Sequence, residues 1–238
     1  MRPERLRRRW DHRAEADARF YIKADRTDWT DDEFLASGEA DVARFVDPVL
    51  DLAPARGVAL DIGCGLGRLS RALASRFESV EAVDISREMI ARAEVFSPPS
   101  PANLVFSVCE GDGSLPNRTA SIDFAFSYLV FQHLPSVSLV ARYLGELARV
   151  LRPGGVARVQ LNGVRRPLAD RFSARIIDSD RVPIVHRKPR LKIDPHSHMG
   201  AVLTEPRARR LAVRAGLTVL AVDDPGTAEM WLTLRAGW

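Results

Sequence analysis

One stretch constrains this chain more than any other: Leu60-Asp61-Ile62-Gly63-Cys64-Gly65-Leu66-Gly67-Arg68. An apolar run ends in glycines at alternate positions, and a helix-forming segment follows. Glycine takes backbone conformations that other residues resist, and it lets a ligand come close to the main chain. The helix start beyond it offers unpaired N–H groups and a partial positive charge. The spacing is Asp-x-Gly-x-Gly-x-Gly. It fails the dinucleotide fingerprint Gly-x-Gly-x-x-Gly, because position 68 is Arg and the third glycine comes one residue early. It also lacks the Gly-Lys-Ser/Thr of a phosphate loop.

Around this loop, strand-like and helix-like segments alternate. Residues 57–62, 80–83, 104–108, 122–127 and 156–161 read as strands. Residues 66–77, 86–96 and 136–151 read as helices, with Ser86 as a cap and Arg152-Pro-Gly-Gly155 as a closing turn. Such alternation predicts βαβ units and a parallel sheet. Residues 205–215 read as a last helix stopped by Gly216, followed by strands 217–222 and 230–234. Their short link makes those two strands antiparallel. The expected fold class is therefore α/β: a Rossmann-like, doubly wound, seven-stranded sheet. It is mostly parallel with an antiparallel final strand, and helices cover both faces.

Two segments lie outside this pattern. Residues 1–38 read as an N-terminal arm with one or two helices, and a further helix is expected to start near residue 39 beside Ser37-Gly38. Residues 163–203 carry several prolines and read as an inserted cap, so that 39–238 form one domain with the cap inside it. A chain of 238 residues buries about 70% of its unfolded surface, enough to need no disulfide or metal staple. Two cysteines make no disulfide framework, and no apolar run reaches about 18 residues. A cytoplasmic location and no membrane association are the expectations. The net charge of +4 is uneven. Residues 1–13 carry +4 and residues 163–192 carry +6, so the rest is net acidic.

The glycine loop resembles motif I of the class I S-adenosylmethionine-dependent methyltransferases, of the small-molecule type 11 and 25 kind. Later segments resemble that family in order. Val80 to Ser86 is similar to the second strand with its terminal acid, and Glu110 to Pro116 to the loop after the third strand. Ile122 to Leu134 resembles the fourth strand and its loop, and Leu151 to Gly155 the turn before the fifth. Five motifs in register cover roughly residues 40–162. The resemblance implies S-adenosylmethionine as cofactor and S-adenosylhomocysteine as product.

It also implies roles for single residues. Asp84 would accept both ribose hydroxyls, with Ile85 beside it, although NAD enzymes use the same device. Asp112 would face the adenine amino group, with the Gly113 N–H offered to a ring nitrogen. Asp61 would sit near the methionine end, and Gly63, Cys64, Gly65 and Gly67 would form the cradle. Ser127 and Tyr128 would line the methionine part or the acceptor. Cys64 is read as a small loop residue rather than a redox group.

Methyl transfer from a sulfonium is an in-line displacement in which the protein mainly positions the acceptor. A base is needed only for an acceptor that still carries its proton. His133 is the candidate base; the competing reading makes it a helix cap or packing residue. With Tyr21 and Tyr128 it also stands as a candidate substrate contact. Trp10, Phe20 and Tyr21 either close over the cofactor or pack the arm onto the domain, and Trp231 reads as core. His196-Ser-His198, with Asp194 and His186, could hold a metal, but the reaction requires none, and no metal is assigned.

The acceptor is expected to be a small molecule methylated on O, N or C. The fourth-strand loop, Ser127-Tyr128-Leu129-Val130, lacks the Asn/Asp-Pro-Pro-Tyr/Phe of enzymes that methylate base amines. No Pro-Cys nucleophile is present for base C5 chemistry. The basic segments leave open an anionic acceptor or RNA as partner, or a solvated Arg-rich surface. A non-catalytic subunit that binds S-adenosylmethionine is the remaining alternative. Intact Gly63, Gly65, Gly67 and Asp84 count against it.

Overall fold

Buried β-branched and aromatic residues set the sheet. In the computed structural model, which describes residues 2–24, 26, 28–96, 99–164 and 200–237, seven strands lie in the order β3-β2-β1-β4-β5-β7-β6. They are β1 (Val58–Ile62), β2 (Ser79–Asp84), β3 (Leu104–Val108), β4 (Ile122–Ser127), β5 (Leu151–Leu161), β6 (Leu217–Asp223) and β7 (Met230–Ala236). β1 pairs in parallel with both β2 and β4, and β7 lies antiparallel between β5 and β6. This is the expected fold class. The chain reverses direction beside β1, so the C-terminal ends of β1, β2 and β4 share one crevice, where open α/β sheets bind ligands.

Side chains alternate across the sheet, as the two-residue period requires. Leu60 and Ala125 join a core under α5 (Val137–Val150) and α6 (Glu205–Arg214). Ala59, Phe124 and Phe126 join a second core on the other face. α2 (Asp31–Phe45), α3 (Arg68–Leu73) and α4 (Arg87–Val95) cover that face. Trp231 is buried there and stacks on Phe126 at 5.9 Å with 7° between the rings.

Three boundaries differ from the sequence reading. α2 begins at Asp31, not near 39, behind a Thr30–Glu33 capping box. Gly38 sits inside it because α3 passes so close: a Cβ there would lie 2.3 Å from the Arg68 carbonyl oxygen. α3 holds six residues, since Leu66 and Gly67 still belong to the glycine loop. β5 begins at Leu151, which pairs with Ile122; the expected Pro-Gly-Gly turn lies inside the strand as a bulge, with Gly154 at a φ of 78° before the ladder resumes at Val156.

The arm is helical. α1 (Pro3–Ile22) kinks at Asp17, whose side chain then accepts from the Phe20 N–H and caps the second part. Its first part is fastened across the ends of β2 and β3. Arg7 donates to the Ile85 carbonyl at 3.1 Å and to the Cys109 carbonyl at 3.1 Å. Asp11 accepts from the Ser86 hydroxyl at 2.6 Å. The expected cap falls almost wholly outside the described residues, including His186, Asp194, His196, His198 and most of the basic 163–192 segment. No described helix is long and apolar enough to cross a membrane.

Candidate active site

β1 delivers the glycine loop to the crevice. Gly63, Gly65 and Gly67 all have positive φ, at 79°, 54° and 79°. In that region an L side chain is strained. The loop is tied back to β2: the Gly63 N–H donates to the Val83 carbonyl at 2.7 Å, and the Gly65 N–H donates to Asp84 at 2.9 Å. Asp84 accepts with its other oxygen from the Ser86 N–H at 2.8 Å. Burial pushes the Asp84 carboxyl above its ordinary range, while the Ser86 and Gly65 N–H groups hold it down.

Beneath the loop lies Asp61. Ser70 donates to one carboxylate oxygen at 2.6 Å, and the other oxygen, Oδ1, is buried with no partner. Burial raises this carboxyl to about 6, against the pull of Ser70 and Arg68. A buried acceptor without a partner is costly, and a ligand ammonium or a water would satisfy it.

Gly63, Gly65 and Asp84 floor a cavity of about 90 Å³. Its lower wall is Ile62, Gly63, Gly65, Asp84, Ile85 and Met89. Tyr128, Leu129, Val130, His133 and Leu134 come from the segment after β4, and Cys109 and Tyr143 close the far end. α1 provides the roof with Leu6, Trp10, Tyr21 and Ile22. Ligand pockets usually measure about 300–1,000 Å³, and α1 closes this one from above. A Cβ on Gly65 would meet Ile22 Cδ1 at 2.7 Å.

The structure thus gathers Gly63, Gly65, Asp84, Ile85, Tyr21, Tyr128 and His133 around one cavity. Asp61, Cys64 and Gly67 support its floor without lining it. Ser127 stands apart: its hydroxyl donates to the Ile62 carbonyl at 2.9 Å and stitches β4 to β1. Asp112 and Gly113 also lie off the cavity wall. Asp112 accepts from the Ser114 hydroxyl and N–H, which hold its carboxyl below the usual range, with Arg142 adding to the effect. Burial pushes the Cys109 thiol up to about 12 and the Cys64 thiol well above its ordinary range. Neither is a thiolate at neutral pH. Among the described residues no cluster of three His, Cys, Asp or Glu is placed to hold a metal.

Sequence reasoning missed Leu6, Ile22, Met89, Leu129, Val130, Leu134 and Tyr143 as wall residues. Their apolar types read as ordinary core. It also missed Gln160, whose Oε1 accepts from the N–H of Leu129 at 3.1 Å. Gln160 was an alternate position in a buried strand, and a buried amide in such a place is the signal that was available.

Comparison with known proteins agrees with this geometry. A family described as a methyltransferase domain matches residues 60–159. The biotin biosynthesis bifunctional protein BioHC of Cellvibrio japonicus is 38% identical over 118 residues, covering 48% of this chain and 22% of that protein. A ubiquinone biosynthesis O-methyltransferase of Xanthomonas oryzae is 32% identical over 111 residues, covering 47% of this chain and 44% of that protein. The chain spans less than half the length of these curated relatives. Magnesium protoporphyrin IX methyltransferase of Synechocystis, solved with bound S-adenosylhomocysteine, superposes with a TM-score of 0.61 at 16% identity, covering 98% of each chain. Motif order, strand order and family match coincide: residues 60–159 of this chain match a methyltransferase domain, and the whole described sheet has the fold of the solved methyltransferase.

Proposed function

We propose that this chain transfers a methyl group from S-adenosylmethionine to a small acceptor with a largely apolar body. The observation that carries the reading is the Gly65–Asp84 contact on the floor of a cavity whose opposite wall holds Tyr21, Tyr128 and His133. Asp84 and the loop would hold the ribose, and Ile85 and Met89 would flank the adenosine. The unpartnered Asp61 Oδ1 would serve the ammonium, directly or through water. The bound cofactor supplies an electrophilic methyl on a sulfonium, with a neutral thioether as leaving group. The protein orients the acceptor and excludes water.

Apolar and aromatic side chains dominate the acceptor wall. The arm's cations do not face it as a phosphate-binding row. Arg7 binds backbone carbonyls and Glu110, and Arg13 lies over the Trp10 ring at 4.7 Å and the Tyr21 ring at 5.1 Å. This supports a small acceptor over RNA. The relatives named for ubiquinone biosynthesis fit the same class.

Calorimetry with S-adenosylmethionine and S-adenosylhomocysteine tests the cofactor half: binding is expected with both, and silence with both rejects the reading. Radiolabelled cofactor added to a cell extract, with and without RNase, tests the acceptor half. A labelled small molecule that survives RNase is expected; label lost to RNase would make RNA the acceptor.

A further inference from the structure

We propose that Asp11, on the N-terminal arm, is a positioning residue for the cofactor's ribose: through Ser86 it steadies the turn that carries Asp84, so the arm belongs to the framework of the cofactor site as well as to its roof. The inference rests on the methyltransferase reading of the cavity, in which Asp84 holds the ribose.

β2 ends at Asp84 and α4 starts at Arg87. The turn between them is built around Ser86, which is fully buried. Asp84 and Ile85, just before it, line the cavity together with Met89. The Ser86 N–H donates to Asp84 Oδ1 at 2.8 Å. Its hydroxyl oxygen accepts from the Met89 N–H at 3.1 Å and so caps α4. A hydroxyl has one proton to give. Ser86 gives it to Asp11 Oδ1 at 2.6 Å.

The same Asp11 oxygen also accepts from the Glu88 N–H at 3.3 Å. The first N–H groups of a helix have no partner within the helix, and a carboxylate beside them is favoured by the dipole. In α4 one of these groups is met by Ser86 and another by a residue 77 positions earlier in the chain. Arg7, one turn before Asp11 on α1, donates to the Ile85 carbonyl at 3.1 Å and seats the arm over the same turn.

This arrangement has a cost. Burial does most to raise the Asp84 carboxyl, and the Asp11 charge adds to it. Two like charges oppose each other. Hydrogen bonds from Ser86 and Glu88 to a charged acceptor, the stronger kind, offset that repulsion. What they secure is the aim of Asp84. Its Oδ2 is anchored by the Gly65 N–H at 2.9 Å, within the glycine loop. Its Oδ1 is only as steady as Ser86, and the Ser86 hydroxyl is held by the arm.

The test is calorimetry of the full chain with S-adenosylhomocysteine and with its 2′-deoxy and 3′-deoxy analogues. Asp11→Ala is expected to weaken S-adenosylhomocysteine about tenfold, the loss of one hydrogen bond to a charged group. Against the analogue that lacks the hydroxyl meeting Asp84 Oδ1, the same substitution is expected to cost about threefold or less, because the contact it disturbs is already gone. Asp11→Asn keeps an oxygen acceptor and is expected to bind within about threefold of wild type. In a Ser86→Ala background, Asp11→Ala is expected to cost no more than about twofold, because Ser86 transmits the effect. Asp11 is half-buried on a surface helix, so the variants are expected to keep the wild-type circular dichroism. An equal loss for all three ligands would make Asp11 a general packing residue and overturns the proposal. So does a full tenfold loss in the Ser86→Ala background. Wild-type binding with an indifferent Asp11→Ala rejects this proposal alone, whereas silence of the wild-type chain toward S-adenosylhomocysteine rejects the methyltransferase reading beneath it.

Discussion

Asp61 carries the clearest pH dependence at a single residue. Its carboxyl stands at about 6 in the folded chain against an ordinary 3.8. The folded state therefore holds an extra proton between those values, and the ligand-free chain loses stability from this group as pH rises through that window. Asp61→Asn is expected to gain on the wild type, by up to ~3 kcal/mol at 1.36 kcal/mol per pH unit, between about pH 4 and pH 7.5. Denaturant titrations at both pH values check the sign; a deficit that grows with pH contradicts it. Asp84→Ala should weaken cofactor binding by about 100-fold or more, the loss of roughly 3 kcal/mol of charged hydrogen bonding, as read by calorimetry.

Gly65 shows how far single residues were legible. Its place in the loop was plain from spacing, and its positive φ agrees. Gln160 was not legible, because an amide in a buried strand acquires meaning only from Leu129 and Ala228, which lie far along the chain. Ser127 was misplaced for a related reason: the end of a strand was known, but not that the Ile62 carbonyl waited for its hydroxyl.

Among the elements, strands were read best. β3 and β4 have the bounds their apolar runs indicate, since buried strands announce themselves locally. α2 was read short although its cap was visible in Thr30-Asp-Asp-Glu33, because Gly38 resembled a boundary. The partner that explains Gly38 is Arg68, buried behind the glycine loop and paired with Asp41 at 2.6 Å. Gly→Ala inside a helix ordinarily stabilises by about 1 kcal/mol. Gly38→Ala is expected to lower the melting temperature instead, because its Cβ meets backbone. Asp41→Ala strands the buried Arg68 and should cost about 3–5 kcal/mol. Chemical denaturation of the two variants checks both; a stabilised Gly38→Ala would refute the contact.

At the scale of the whole molecule, arm and domain share one cavity. α1 reaches it through Leu6, Trp10, Tyr21 and Ile22, and Arg7 pins it to the ends of β2 and β3. Composition marked this arm as separate, but the strand ends that receive it are known only once the sheet is assembled. Arg7→Ala is expected to speed association of S-adenosylhomocysteine in stopped-flow measurements, because the roof is then held less firmly. Slower association would mean that α1 builds the site and does not obstruct it.

The seat of α1 divides the measured affinity into two factors. One is the fit between cofactor and floor; the other is the fraction of molecules whose roof is raised at a given moment. Contacts such as Arg7 with Glu110 bear on the second factor. Substitutions along the outer turns of the arm can then retune the cofactor concentration at which the chain saturates, while every atom of the floor stays where it was.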